Sequence, residues 1–287
     1  MSQPSTPFDS STSSLLGEDD SRASKVAAVQ MVSTPDVALN IATARRLVAE
    51  AAGQGAALVL LPEYWPILGM HENDKLAHAE RAGAGPMQEA LSGMAREHAI
   101  WLIGGTVPMV SSESGKVMNT TLVYRPDGGL EARYDKIHLF SFSRGKESYD
   151  ESRTIAAGAA VQSVETPFGR IGLSVCYDLR FPELYRALGE CALIVVPSAF
   201  TWTTGRAHWE ILLRARAIEN QCYVLAAAQG GVHPNGRRTW GHSMLIDPWG
   251  EPMALLEEGE GVVVGALDAE HVRAVRENLP ALRHRRM

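Results

Sequence analysis

Cysteine is scarce in this chain, which has 287 residues and only three cysteines, Cys176, Cys191 and Cys222. An odd number of widely spaced cysteines argues against a disulfide framework and favours free thiols in a reducing compartment, so we expect a cytoplasmic location. No cysteine or histidine spacing typical of a zinc site is present, and the run GEGVVVG lacks the spacing of a dinucleotide-binding loop. The sequence therefore predicts neither a metal nor another cofactor.

Long apolar runs and an excess of basic charge are also missing. No uninterrupted apolar stretch approaches the roughly 18 residues that span a bilayer. A formal net charge of −6 argues against a nucleic-acid-binding surface, which needs clustered basic residues. The N-terminus lacks the basic segment and apolar core of a secretory signal. We therefore expect a small-molecule ligand and neither nucleic acid nor a membrane as a partner.

The chain divides by composition into a short leader and one domain. Residues 1–24 are rich in Ser, Thr, Pro and acidic residues, which predicts a flexible N-terminal leader. Over residues 25–287, strand-like runs such as KVAAVQM, AALVLLPE and RIGLSV alternate with helical patterns, and no linker interrupts them. This alternation predicts a single α/β domain. The segment NTTLVYRPDGGLEARYDKIHL predicts a hairpin, and residues 141–160 are expected to form a loop.

The segment RIGLSVCYDLRFPELYR places Cys176 where a strand-like run breaks. A thiol with an ordinary pKa of about 8.5 is a poor nucleophile until a base or a positive field generates the thiolate. Pro182 suits the first turn of a helix, whose free N–H groups would favour negative charge near the thiol. The alternative is an unreactive buried cysteine, which is common in strands.

Two charged residues occupy equally unusual positions. Glu63 directly follows the apolar run LVLLP, at the end of a predicted buried strand, where α/β folds place ligands. Lys136 lies between aromatic and aliphatic neighbours in ARYDKIHLF, late in the predicted hairpin. Each residue by itself is compatible with an exposed surface charge. Together with Cys176 they supply the base, the oxyanion stabiliser and the nucleophile of acyl transfer.

The blocks LPE, DKIHLF and CYDLRFPEL resemble, in this order, the segments that carry the Glu–Lys–Cys triad of the nitrilase (carbon–nitrogen hydrolase) superfamily. The resemblance covers residues 25–286 and implies an α/β fold of the four-layer α-β-β-α sandwich type. True nitrilases have Trp-Glu after the cysteine, so Tyr-Asp here is similar to the amidase branches. The blocks TTGRAHWEILLRARAIENQCYVLAAAQ and GHSMLIDPWG most resemble the Nit group, and within it the deaminated glutathione amidases.

The resemblance implies further residues of the reaction centre. The backbone N–H of Tyr177 would hold the oxyanion together with Lys136. Family members have a second glutamate after the lysine, and this glutamate corresponds to Glu151. Glu147 is close enough in the sequence to remain the alternative.

The resemblance also implies how a substrate carboxylate is held. Arg180 and Thr204 match Nit-group positions that bind the oxo-acid carboxylate, and a guanidinium fork suits a carboxylate bidentately. The alternative for Arg180 is a structural ion pair with Asp178 or Glu183.

Two departures from the family pattern lie close to these positions. Arg206 replaces the proline of the family block TGPAHW, which brings the shape of that segment into question. Tyr64 and Trp65 follow the glutamate in LPEYWP, where relatives have smaller or different residues, so we expect unusual walls in this part of the pocket.

These features predict a hydrolase of linear amides that works through a cysteine thioester. Hydrolysis of deaminated glutathione to 2-oxoglutarate and cysteinylglycine is the main hypothesis. The alternatives are an omega-amidase that releases ammonia from 2-oxoglutaramate, an N-carbamoyl amino acid amidohydrolase, and, from a different class, a catalytically silent binding protein. The family resemblance further implies a homodimer or a larger homo-oligomer.

Overall fold

The computed structural model describes residues 24–145 and 147–286. The predicted leader over residues 1–24 lies outside these described residues, apart from Ser24, which opens the first strand. Within the described part of the chain, no helix is both long and apolar enough to cross a membrane.

Strands and helices alternate along the described chain. The strands are β1 (Ser24–Gln30), β2 (Leu58–Leu60), β3 (Trp101–Ile103), β4 (Val107–Val110), β5 (Val117–Tyr124), β6 (Leu130–Asp135), β7 (Ser141–Arg144), β8 (Glu147–Asp150), β9 (Ile155–Ala156), β10 (Ser163–Thr166), β11 (Gly169–Leu173), β12 (Leu193–Ser198), β13 (Tyr223–Ala228), β14 (Ser243–Ile246), β15 (Pro252–Leu256) and β16 (Gly261–Leu267). The helices are α1 (Val37–Gly53), α2 (Pro86–His98), α3 (Pro182–Ala187), α4 (Trp202–Asn220), α5 (Ala269–Asn278) and α6 (Ala281–His284).

The strands build two large sheets and one separate hairpin. The first sheet has the order β16-β1-β2-β3-β5-β4, with β6 and β9 also paired to β5, and the second has the order β10-β11-β12-β13-β14-β15. At the centre of the first sheet β1, β2 and β3 run parallel, and at the centre of the second β11, β12 and β13 do the same. Strands β7 and β8 pair only with each other among the described strands.

Alternation along β1 shows how the layers are stacked. Val26 and Ala28 pack in a core that is shared with the second sheet and α4, whereas Ala27 and Val29 pack in a core that is shared with α1 and α2. Successive side chains of a strand point to opposite faces, so the first sheet lies between a helical layer and the second sheet. Helices α3 and α4 then cover the outer face of the second sheet. The predicted four-layer α-β-β-α sandwich is confirmed.

Two segments differ from the sequence prediction. The predicted hairpin over residues 119–139 is present as β5 and β6, but the predicted loop over residues 141–160 contains the β7–β8 hairpin and β9. The only large apolar side chains of β7 and β8 are aromatic, and Phe142 pairs across the hairpin with Tyr149, so no aliphatic alternation marks these two strands. Helix α4 begins earlier than its apolar pattern suggests, because the Thr201 side chain accepts a hydrogen bond from the Thr204 N–H and caps the first turn.

Candidate active site

Three segments that are distant in the sequence meet at the ends of central strands. Glu63 follows β2 of the first sheet, Lys136 directly follows β6, and Cys176 follows β11 of the second sheet. Glu63 and Cys176 each follow a strand with a parallel neighbour, and α/β folds bind ligands beyond the carboxyl ends of such strands. Lys136 reaches the same place from the end of the antiparallel strand β6. Glu63 and Cys176 line one pocket, and the Lys136 ammonium contacts Glu63 directly.

Cys176 lies at a sharp turn between the second sheet and a short 3₁₀ helix. Its φ angle of 48° is in the left-handed region, which costs a non-glycine residue about 1 kcal/mol. The 3₁₀ helix spans Cys176–Arg180, and α3 begins only at Pro182. The predicted helix at Pro182 is therefore present, but a separate 3₁₀ turn lies between it and the thiol.

Asp178 joins this turn to the hairpin that carries Lys136. One carboxylate oxygen accepts hydrogen bonds from the Val175 N–H at 2.8 Å and the Tyr134 hydroxyl at 2.7 Å. The other accepts from the His138 N–H at 3.0 Å and lies 2.7 Å from His138 Nδ1. A fully buried carboxylate with this many partners fixes the two segments relative to each other. Asp178 thus positions the elbow of the thiol relative to the lysine hairpin.

Each oxygen of the buried Glu63 carboxylate is held by a different part of the chain. Oε1 accepts hydrogen bonds from Lys136 Nζ at 2.8 Å and from Asn119 Nδ2 at 2.9 Å. Oε2 accepts from the Ala199 N–H at 2.9 Å, immediately after β12 of the second sheet. These contacts bind the carboxylate in one orientation across the interface of the two sheets.

Lys136 is fully buried and donates to two carboxylates. Its Nζ lies 2.8 Å from Glu63 Oε1 and 2.8 Å from Glu151 Oε2. Burial alone lowers the pKa of Lys136, but the charges of Glu151 and Glu63 outweigh burial and hold this pKa above its ordinary value. Burial likewise raises the pKa of Glu151, and the Lys136 ammonium reverses that effect and leaves the pKa below its ordinary value. The lysine therefore remains an ammonium and Glu151 remains a carboxylate.

Of the two candidates for the second glutamate, Glu151 contacts the lysine. Its carboxylate also accepts hydrogen bonds from the Tyr64 hydroxyl and the Phe140 N–H, each at 2.7 Å. Glu147 lies on β8 and accepts a hydrogen bond from Thr203 at 3.0 Å. Its other oxygen is buried without a hydrogen-bond partner in the described part of the chain.

The thiol of Cys176 is buried beside this charge cluster. Burial raises the pKa of Cys176 well above its ordinary value, the Glu63 carboxylate raises it further, and the Lys136 ammonium opposes both effects. The resting thiol is therefore protonated at neutral pH. A neutral thiol next to a fixed carboxylate requires that its proton be removed as it attacks, rather than beforehand.

Arg180, Thr204 and Tyr177 line the same pocket as the thiol. The Arg180 guanidinium lies over the rings of Tyr177 and Phe200, at 5.8 and 5.5 Å from their centres, and one of its nitrogens is 3.2 Å from His208 Nδ1. Among the described residues it forms no ion pair with Asp178 or Glu183, so the structural alternative for this arginine is wrong. Thr204 lies in the first turn of α4, with its hydroxyl 2.9 Å from that of Thr201.

The three residues that depart from the family pattern have separate effects. Tyr64, at a φ of 56°, closes one side of the charge cluster through its hydrogen bond to Glu151. Trp65 is fully buried and donates to the Gly104 carbonyl, so it supports the wall from behind. Arg206 is exposed on the first turn of α4 and is not among the residues that line the pocket.

Three side chains of the site were not predicted from the sequence. Asn119 orients Glu63, Phe140 lines the pocket, and Arg237 lies on its wall. A buried polar residue within the strand-like run NTTLVY was the available signal for Asn119. No comparable signal distinguishes Arg237 from its neighbour Arg238. No cluster of three or more His, Cys, Asp or Glu side chains that could hold a metal occurs within residues 24–145 and 147–286.

Comparison with known proteins identifies the family that this chain resembles. The carbon–nitrogen hydrolase family model matches residues 25–277. A deaminated glutathione amidase from Synechocystis is 43% identical over 265 residues, which cover 90% of this chain and 97% of the relative. The omega-amidase NIT2 of Xenopus tropicalis is 38% identical over 274 residues, with 91% and 95% coverage. The crystal structure of the C. elegans NitFhit protein superposes with a TM-score of 0.83 at 40% identity, covering 92% of this chain and 66% of that one.

The protonation state of Cys176 gives a direct test of the electrostatics. In the ultraviolet difference spectrum of wild type minus Cys176→Ala, we expect no thiolate signal at or below the ordinary thiol pKa of about 8.5. Glu63→Gln removes the neighbouring negative charge, so the thiolate should then form at lower pH than in wild type. The difference spectrum contains no signal from Cys191 and Cys222, because both proteins carry these thiols. Burial raises the pKa of each of them. A wild-type thiolate at neutral pH would contradict this assignment.

The second glutamate is tested by a matched pair of substitutions. Glu151→Gln should lower kcat by about 10²-fold, because Lys136 loses one of its two carboxylate partners and its position. Glu147→Gln keeps the acceptor for Thr203 and should leave kcat nearly unchanged. Steady-state kinetics on one amide substrate, with thermal unfolding as a check on folding, measure both. The reverse pattern would make Glu147 the functional residue.

Proposed function

The chain belongs to the carbon–nitrogen hydrolase family, and from that premise we propose that it is an amidase that hydrolyses deaminated glutathione to 2-oxoglutarate and cysteinylglycine. The main support for this chemistry is the 2.8 Å ion pair between the buried Lys136 ammonium and Glu63. Glu63 lines the same pocket as the Cys176 thiol. The substrate rests on the relatives named deaminated glutathione amidase, at about 40–43% identity over nine tenths of this chain.

The first half of the reaction acylates the thiol. Glu63 takes the proton of Cys176 as the sulfur attacks the amide carbonyl, and the carbonyl oxygen becomes an oxyanion. The Lys136 ammonium and the Tyr177 N–H hold that oxyanion, an interaction whose loss typically costs about 10²–10³ in rate. The protonated Glu63 then gives its proton to the amide nitrogen, the C–N bond breaks, and the amine leaves.

The second half regenerates the thiol. Glu63, again a carboxylate, takes a proton from water, and the resulting hydroxide attacks the thioester carbonyl. The same oxyanion donors act once more, the C–S bond breaks, and the sulfur recovers a proton from Glu63. One water is consumed, and a carboxylic acid and an amine are released. Glu151 keeps the lysine charged and in place during both halves.

The oxo-acid end of the substrate is assigned to Arg180 and Thr204. The guanidinium has no carboxylate partner among the described residues and lies in the pocket with the thiol. A planar guanidinium binds a carboxylate through two parallel hydrogen bonds, and the Thr204 hydroxyl adds a third donor. This end of the substrate is common to deaminated glutathione and 2-oxoglutaramate. The similarity to omega-amidase NIT2 therefore makes 2-oxoglutaramate the second candidate substrate.

The proposed chemistry is tested by intact-protein mass spectrometry together with turnover assays. Wild type mixed with deaminated glutathione should form an acyl adduct on Cys176 and release cysteinylglycine, whereas Cys176→Ala should form no adduct and show no turnover. Lys136→Met should retain less than about a tenth of the wild-type kcat, because the oxyanion loses its charged donor. An adduct on Cys176→Ala, or near-normal turnover by that variant, would refute the mechanism.

A panel of substrates separates the alternatives. Deaminated glutathione should be turned over with a higher kcat/KM than 2-oxoglutaramate, glutamine or a simple nitrile. Release of carbon dioxide together with ammonia from carbamoylated amino acids would instead identify an N-carbamoyl amino acid amidohydrolase. If no amide is hydrolysed and none of them acylates Cys176, the remaining alternative is a catalytically silent binding protein.

Three further properties are part of the proposal. A homodimer is supported by the exposed side chains of Ile211 and Ile218 on α4, and sedimentation velocity measures it.

A cytoplasmic location is supported by the three free cysteines, and cell fractionation tests it. We also propose that residues 25–287 form the hydrolase domain, so a chain that starts at Ser24 should keep the activity of the full chain.

A further inference from the structure

Arg237 is a cation of the pocket wall to which the proposed mechanism gives no task. It lies in the loop between β13 and β14 and lines the pocket together with Glu63 and Cys176. One guanidinium nitrogen, Nη2, donates to the Ala199 carbonyl at 2.9 Å, and the guanidinium lies 5.1 Å from the centre of the Tyr149 ring.

The hydrogen bonding of this guanidinium is incomplete. Its Nε is buried and has no hydrogen-bond partner within the described part of the chain. No carboxylate of residues 24–145 and 147–286 forms an ion pair with it, unlike the neighbouring Arg238, which pairs with Glu258 at 3.0 Å. A buried donor on a charged group is costly to leave unsatisfied. An anionic ligand would supply both the missing acceptor and the counter-charge.

The position of Arg237 relative to Glu63 shows which end of a substrate it faces. Ala199 donates its N–H to Glu63 Oε2 and accepts from Arg237 Nη2, both at 2.9 Å, so the two side chains are held by the same residue. In the mechanism Glu63 protonates the departing nitrogen, so the leaving group must lie next to Glu63. Arg180 lies elsewhere on the wall, over Tyr177 and Phe200.

Arg237 also lines a second, open cavity whose lining does not include Cys176. It has a volume of about 300 Å³, and its lining includes Tyr64, Lys75, Asn235, Arg237 and one carboxylate, Glu72. This volume is at the lower end of the roughly 300–1,000 Å³ that small-molecule sites occupy. Lys75 is already paired with Glu72 at 3.0 Å, which leaves Arg237 as a cation available to a ligand there.

From these contacts, and resting on the proposed amidase function, we infer that Arg237 and this outer cavity form a leaving-group subsite that binds a carboxylate on the amine half of the substrate. The substrate class is then a linear amide with a carboxylate on each side of the scissile bond, one bound by Arg180 and the other by Arg237. Deaminated glutathione, whose leaving group ends in the glycine carboxylate, belongs to this class. 2-Oxoglutaramate does not, because its leaving group is ammonia.

The test uses substrates that differ only in the leaving group. The three amides share the 2-oxoglutaryl half and release cysteinylglycine, its C-terminal amide, or ammonia. Wild type should prefer the carboxylate over the capped leaving group by about 10- to 100-fold in kcat/KM, the range expected for a hydrogen-bonded charged pair. In Arg237→Met this preference should disappear. Arg238→Met, which alters an exposed arginine of the same loop, should keep it.

Each outcome separates the subsite from the catalytic proposal. A wild type that hydrolyses all three amides without preference would overturn the subsite and leave the amidase intact. An equal loss by Arg237→Met on all three amides would make the residue a support of Glu63 and also overturn the subsite. Failure of wild type to hydrolyse any amide, without acylation of Cys176, would instead refute the proposed function.

Product inhibition tests the same inference without a substitution. Cysteinylglycine should inhibit wild type more strongly than its C-terminal amide by about 10-fold or more, because only the free carboxylate satisfies Arg237. Equal inhibition constants would overturn the inference even if Arg237→Met fails to fold. An Arg237→Lys variant keeps the positive charge but loses the fork of guanidinium donors. Its preference for the free carboxylate should therefore lie between that of wild type and that of Arg237→Met.

Discussion

The site depends on the two ion pairs that the buried Lys136 ammonium forms with Glu63 and Glu151. Each of the three charges would be costly in a dry interior by itself, and removal of one partner from such a buried cluster typically costs about 3–5 kcal/mol. At 2.8 Å on both sides, the ammonium and the two carboxylates stabilise one another's charged forms. The cluster therefore keeps the Lys136 ammonium charged and the Glu63 carboxylate aligned before any substrate arrives.

The layered fold is what makes such a cluster possible. Glu63 and Lys136 belong to the first sheet, whereas the Ala199 N–H and Cys176 belong to the second, and the sheets are locked together by an apolar core. Asp178 adds a polar connection between the elbow of the thiol and the lysine hairpin. A change that shifts one sheet relative to the other would separate the thiol from its base.

The pocket combines a neutral thiol with two arginines, Arg180 and Arg237, that form no ion pair with any described residue. The negative charge needed for attack is generated only when Glu63 receives the proton, so an empty pocket does not carry a reactive thiolate. The positive charge that faces a ligand lies at two separate places on the pocket wall, at Arg180 over Tyr177 and at Arg237 over Tyr149. This arrangement suits a substrate with anionic ends and an uncharged amide between them.

Particular residues show how far sequence-based inference extends. Glu63 and Cys176 could be chosen because a polar group directly after an apolar run is unusual, and the layered fold followed from the resemblance, which the family match and the superposition confirm. Glu151 was preferred to Glu147 only through the resemblance, because Glu147 opens β8 and Glu151 directly follows it, in a short hairpin whose register no apolar pattern sets. Arg237 was missed because it adjoins Arg238 in a polar loop, where chain geometry alone decides which guanidinium turns inward.

The sequence by itself determined the kinds of chemical groups, their order along the chain and the alternation of strands and helices, since these follow from composition and local periodicity. Only the tertiary structure decided which groups share one pocket, which glutamate contacts the lysine and which arginines line the pocket. Those properties depend on distances between residues far apart in the chain, and such distances are set by how the two sheets pack.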